Sequence, residues 1–135
     1  GHVPQQHRLL GVGAGDPAAI IWPLLCGMSK AKYYLMTAEF ISGVEAEQMG
    51  MVSLCLPPEE VLPKAMDIAD KLAAGSQQAI RGTKSTLNGW MQMAAPIFDN
   101  SLRMEMLCFL GEDAAEGIAA VKEKRPAVFP SAKKG

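Results

Sequence analysis

The chain has 135 residues, 49% of them apolar and 20% charged, with a net charge of −1. That length supports one domain with a core of its own; the composition excludes a disordered chain, and the near-zero charge excludes a binder of bulk nucleic-acid backbone. Three cysteines in apolar runs, matching no zinc or redox spacing, fit a reducing, cytoplasmic setting.

Gly1 and His2 read as a cloning remnant, because a natural chain normally begins with methionine, and are set aside. Arg8 to Asp16 then reads RLLGVGAGD, a strand-like apolar trio followed by a loop with glycines at 11, 13 and 15. Asp16 as N-cap and Pro17 at the first helical position open the segment AAIIWPLLC, with a kink or break expected at Pro23. The apolar stretch Ala18 to Cys26 is far shorter than the ~20 residues of a spanning helix, so no membrane segment is expected. Gly27 marks the join to a second helical segment, SKAKYYLMT. Ser42 and Glu45 make a capping box, and Gly50 suits the left-handed position that ends a short helix. Val52 to Leu56 is the best strand candidate. Pro57-Pro58 opens a long amphipathic helix, with Val61, Leu62, Met66 and Leu72 on one face, closed by Gly75. A further helix, about Ser76 to Met93, carries Ile80, Leu87, Trp90 and Met91 on one face. From Pro96 to Leu110 the wheel has little polar arc, so that helix needs cover on most sides, and a second copy of the chain is the expected source.

Gly111 to Phe129 reads GEDAAEGIAAVKEKRPAVF. Asp113 reads as an N-cap with Glu116 completing a capping box. At the other end Lys122, Lys124 and Arg125 oppose the negative helix terminus, and Pro126 stops the ladder. Ala114, Ala115, Ile118 and Val121 share one face, while Gly117, Ala120 and Lys124 line a nearly bare stripe beside it. A glycine inside a helix costs about 1 kcal/mol relative to alanine. Either a helix contact with a solvated basic end or the close approach of a ligand would account for it. The fold expected is mainly α with one or two short strands, in two regions, 1–56 and 57–135.

No Ser/His/Asp arrangement, metal-ligand pattern or phosphate-binding GxxxxGK is present. GVGAGD lacks the third glycine of a dinucleotide fingerprint and no βαβ unit follows, so that reading is rejected. The backbone N–H groups of Gly13, Ala14 and Gly15, with the dipole of the helix behind them, suit a carbonyl oxygen or an anion. Asp16 either acts in that site or only caps the helix. His7 is either a base or hydrogen-bond donor, or an ordinary surface residue.

Three blocks in order carry a resemblance: LLGVGAGD followed by GMSKAKYYLMTAEF, then ISGVEAEQMGMVS, then FLGEDAAEGIAAVKEKRPAVF. The second is similar to L-T-G-x-x-I-S-A-x-E-A-x-x-x-G-L-V and the third to F-x-S-E-D-x-x-E-G-x-x-A-F-x-E-K-R-x-P-x-F. Together they resemble the C-terminal half of the crotonase (enoyl-CoA hydratase/isomerase) superfamily. The resemblance implies a crotonase-like core remnant over 1–56, a helical self-association region over 57–135, and a homo-oligomer. A coenzyme A thioester is the implied ligand, with no tightly bound cofactor. It implies that the oxyanion-holding N–H groups belong to an N-terminal half, so this half alone would self-associate with residual acyl-CoA binding and not catalyse; the alternatives are an enzyme complemented by a partner half and a purely structural helical oligomerisation module. Candidate catalytic residues are His7 and Asp16; His7 stands where the hydratases carry a second glutamate, which weighs against water addition by two carboxylates. The resemblance further implies that Lys124 approaches the nucleotide phosphates. Val121 stands where many members carry an aromatic residue near the adenine.

Overall fold

A computed structural model describes residues 2–3, 13–14 and 17–133. The architecture is mainly α, with two strands of two residues each. In chain order these are β1 (His2–Val3), α1 (Ala18–Thr37), β2 (Ile41–Ser42), α2 (Gly43–Gln48), α3 (Pro58–Ala74), α4 (Gln77–Met93), α5 (Ala95–Phe109) and α6 (Glu112–Glu123), followed by a 3₁₀ turn at Pro130–Lys133. The strands pair antiparallel, His2 opposite Ser42 and Val3 opposite Ile41. His2, set aside in the sequence reading, is therefore part of the ladder.

In α1 the helical geometry breaks at Gly27 (φ 79, ψ 158), and Pro23 lies inside the helical run. The expectation of a join at Gly27 holds; the break expected at Pro23 falls four residues later. Six residues after Pro17, the missing N–H of Pro23 removes one hydrogen bond, whereas at Gly27 the backbone itself leaves helical space. α1 closes on Ala38 in the left-handed conformation (φ 58), whose N–H donates to the Tyr34 carbonyl at 3.0 Å.

The capping box at α2 forms as the sequence spells it. The Glu45 N–H donates to Ser42 Oγ at 3.2 Å, and the Ser42 N–H donates to Glu45 Oε2 at 2.9 Å. Gly50 (φ 81) then ends the helix, its N–H donating to the Glu47 carbonyl at 3.0 Å and that of Met51 to the Ala46 carbonyl at 2.8 Å, a Schellman closure.

The strand expected at Val52–Leu56 does not form. Apolar alternation cannot supply a pairing edge, and this run instead folds back over the start of α2. Cys55 Sγ lies so close to Gly43 that a Cβ there would be 2.8 Å from it. α3 and α4 follow within a residue of the expected limits, with Gly75 after α3 and Ser76 capping α4 through its hydroxyl, which accepts the Ala79 N–H at 3.5 Å.

The core is small: Trp22, Ala31, Tyr34, Ile41 and Ala46 are buried, with Ile21, Leu35, Met49 and Met51 packed against them. α1 lies against α5, α5 against α6 and α4, and α4 against α3. Beyond that core the helices present apolar residues to solvent, among them Leu62 at 69%, Leu107 at 61% and Leu110 at 85% exposure. The chain exposes 9738 Å² in total, whereas a folded monomer of this mass exposes about 6,800 Å² by the usual size scaling. Among the described residues, the apolar faces of α3, α4 and α5 are covered only in part by their neighbouring helices.

Candidate functional site

Two separated parts hold the residues expected to act. The first is the glycine-rich loop ahead of α1. Gly13 and Ala14 are half-buried there, and a Cβ at Gly13 would stand 4.0 Å from Cys108 Sγ in the last turn of α5. His7, Gly15 and Asp16 lie outside the described residues, and so does the expected cap at Asp16. α1 starts at Ala18 on Pro17, whose carbonyl accepts the Ile21 N–H at 2.9 Å.

The second part is the C-terminal end of α6. With twelve residues at 1.5 Å each, that helix is about 18 Å long, and its start adjoins the last turn of α5, the Gly111 N–H donating to the Cys108 carbonyl at 2.9 Å. The loop and the basic end thus lie toward opposite ends of α6. Val121 and Lys124 are both exposed. In the bare stripe Gly117 and Ala120 are buried within the chain, as is Ala114 of the adjoining face, where α6 meets α5 and the 3₁₀ turn. The small residues thus serve close packing of the chain on itself, and Ile118 and Val121 are left on the outside.

Asp113 does not cap α6. Gly111 occupies the N-cap in extended backbone with no side-chain cap, and Asp113, inside the first turn, accepts the Ser131 N–H at 3.0 Å and the Ser131 hydroxyl. Glu116 does not reach back to a cap either. Its carboxylate receives Arg125 bidentately, Nη1 to Oε1 at 2.6 Å and Nη2 to Oε2 at 2.9 Å, and Oε1 also accepts the Val128 N–H at 2.8 Å. Arg125 Nε donates to Glu123 at 2.6 Å. The segment from Arg125 to Ser131 is thereby fastened back along α6. Hydrogen bonds donated to Glu116 first and Glu123 second hold the guanidinium pKa above its ordinary value, so Arg125 stays charged throughout the working range.

This clasp closes over an unusual backbone. Lys124 is left-handed (φ 54, ψ 41), with its N–H donating to the Val121 carbonyl at 3.3 Å and that of Arg125 to the Ala120 carbonyl at 3.0 Å. That is a Schellman closure with lysine where glycine is usual, at a strain of about 1–2 kcal/mol. Sequence reasoning missed the clasp because its partners are nine, twelve and eighteen residues apart; only the proline pair 126 and 130, which excludes helix, hinted that the tail turns back. Lys122 and Lys124 have no carboxylate within ion-pair distance among the described residues.

Elsewhere the described residues contain no cluster of three His, Cys, Asp or Glu side chains arranged for a metal, and no helix long and apolar enough to cross a membrane. Cys26, Cys55 and Cys108 are free thiols. Burial pushes the Cys26 pKa up, against the smaller opposing effects of a backbone hydrogen bond and Lys30, so this thiol stays protonated and unreactive near neutrality.

A helical array of this order, entered through a glycine-rich loop and closed by a basic helix end, is a crotonase-type fold. The family model for enoyl-CoA hydratase/isomerase matches residues 3–132, and the chain belongs to that family. It is 36% identical over 126 residues to the crotonyl-CoA hydratase of Syntrophomonas wolfei, covering 90% of this chain and 47% of that protein. Over 119 residues it is 33% identical to the short-chain-enoyl-CoA hydratase of Clostridium acetobutylicum, covering 86% and 45%. Among solved structures it matches a carnitinyl-CoA hydratase from Mycobacterium avium with a TM-score of 0.88 at 19% identity, over 96% of this chain and 51% of that one. The chain spans about half the length of the curated relatives it matches.

Proposed function

We propose that this chain is the helical, coenzyme A-facing half of an enoyl-CoA hydratase/isomerase-type protein. In this reading residues 1–56 derive from the catalytic core, and residues 57–135 form a self-association region. The supporting observation is that 126 residues align at 36% identity with a crotonyl-CoA hydratase while accounting for 47% of its length. An enolate-like oxyanion needs paired, pre-aimed N–H donors, the contribution that usually dominates such catalysis. On the crotonase pattern those donors lie in an N-terminal half, so the 135-residue polypeptide binds the thioester without turning it over, and a partner half completes it. Gly13, Ala14 and Gly15 face the acyl end, with His7 and Asp16 as the candidate proton-handling groups. Lys124 meets the nucleotide phosphates and Val121 flanks them, toward the opposite end of α6. The C-terminal helix of one copy meets a neighbouring copy's coenzyme A, and no tightly bound cofactor is called for. Three free thiols support a reducing, cytoplasmic setting.

The test is hydration of crotonyl-CoA. The purified chain is expected to be inactive, and addition of a separately expressed N-terminal crotonase half is expected to raise the rate. Saturable turnover by the chain alone, lost on His7→Ala or Asp16→Asn, overturns the reading. In calorimetry with coenzyme A, Lys124→Ala is expected to remove the salt-sensitive share of binding, because an exposed ammonium acts on phosphate as a screened point charge.

A further inference from the structure

The end of α6 brings together three cations, Lys122, Lys124 and Arg125, and two carboxylates, Glu116 and Glu123, and the charges do not pair at random. Arg125 takes both acids, Glu116 through two parallel hydrogen bonds of 2.6 and 2.9 Å and Glu123 through Nε at 2.6 Å. The two lysines keep their charge to themselves among the described residues. Arg125 is itself 38% exposed and Glu116 19%, so the pairing is accessible to solvent yet has the bidentate geometry that makes such a pair specific. Glu123 is the chain neighbour of Lys124. Set free, its carboxylate would compete for the ammonium as a counter-ion and repel an arriving phosphate. Glu116 also holds the Val128 N–H at 2.8 Å, so the same guanidinium stabilises the turn in which Lys124 is held left-handed.

Resting on the reading that Lys124 meets the nucleotide phosphates, we propose that Arg125 is a positioning residue for that contact. It touches no ligand. It sequesters Glu116 and Glu123 and clamps the left-handed turn, so that the Lys124 ammonium stays available to a polyanionic phosphate group. A lysine at 125 offers no planar fork and cannot take both acids in this geometry.

Coenzyme A is titrated into the wild-type chain and its variants by calorimetry at 50 and 500 mM NaCl, with far-UV circular dichroism confirming helix content. Arg125→Gln is expected to bind about five- to ten-fold more weakly at low salt and within about two-fold of wild type at high salt, since the repulsion it unmasks is screened. The double variant R125Q/E123Q is expected to recover at least half of the loss, a rescue that a merely structural role of Arg125 would not give. Arg125→Lys, which keeps the charge and the fold, is expected to fall between wild type and R125Q. Wild-type affinity in R125Q or R125K, or no recovery on adding E123Q, overturns the role of Arg125. If Lys124→Ala still removes the salt-sensitive binding in that case, the coenzyme A reading survives. A wild-type chain that does not bind coenzyme A overturns both.

Discussion

Gly50 meets two separate demands at once. Its φ of 81 lies where a side chain is strained, and a Cβ built there would stand 3.0 Å from the backbone carbonyl oxygen of Leu25, which cannot swing aside as a flexible side chain would. Gly50→Ala is therefore expected to destabilise the chain by about 1–3 kcal/mol, measured as a lower urea midpoint with an unchanged slope. Equality of the two proteins would mean that the α2 closure relaxes freely. This residue was legible in the sequence, as was the Ser42–Glu45 box, because both signals are local: a cap and its partner lie within four residues. The Glu116–Arg125 clasp was not legible for the opposite reason. Its acids carry the spacing of a capping box, and only the folded tail reveals that they face Arg125, Val128 and Ser131 instead.

Among the elements, α3, α4 and α5 were read correctly in extent, and their apolar stripes were read correctly as faces that need cover. What periodicity could not disclose is who covers them. Leu87 and Trp90 on α4, and Leu107 and Phe109 on α5, remain about half or more exposed, although α3 touches α4 and α4 touches α5, because no described segment folds back over all three. Under the proposed self-association those faces meet a second copy, as a dimer, trimer or higher multiple. Phe109→Asp is then expected to shift the mass in sedimentation equilibrium toward the monomer while the α1 core, monitored by Trp22 fluorescence in a Trp90→Phe background, stays folded. Lys124→Glu should leave assembly intact; the reverse pattern would remove α5 from the interface. Val52–Leu56 shows the complementary limit of sequence reading, since a strand needs an edge to join and this segment found Gly43 instead.

For the molecule as a whole, the comparison of surfaces is the informative quantity. The excess of about 2,900 Å² over a compact monomer of this size exceeds the area that a standard protein–protein interface buries in total, about 1,600 Å². If the proposed self-association stabilises a chain with so small a core, its melting temperature should rise with concentration by mass action. Differential scanning calorimetry over a hundred-fold range of protein concentration is expected to show an increase of several degrees; a concentration-independent transition would mean that the small core around Trp22 and Tyr34 suffices. The crotonase membership and the helix-rich class could be read from three sequence blocks, and the need for cover on α5 from its wheel, but the size of the exposed area could not, because it depends on how the helices pack.

The interruption of α1 at Gly27 has a consequence of its own. Among the described residues, and apart from its chain neighbours and the adjoining helix backbone, nothing lies within 4 Å of where a Cβ would stand there, so room is not the constraint; the torsions, φ 79 and ψ 158, belong to a region that natural side chains avoid on grounds of chirality alone. Any side chain of ordinary hand at position 27 meets that torsional cost, and glycine alone escapes it, so the bend in α1 is held by the lack of a side chain.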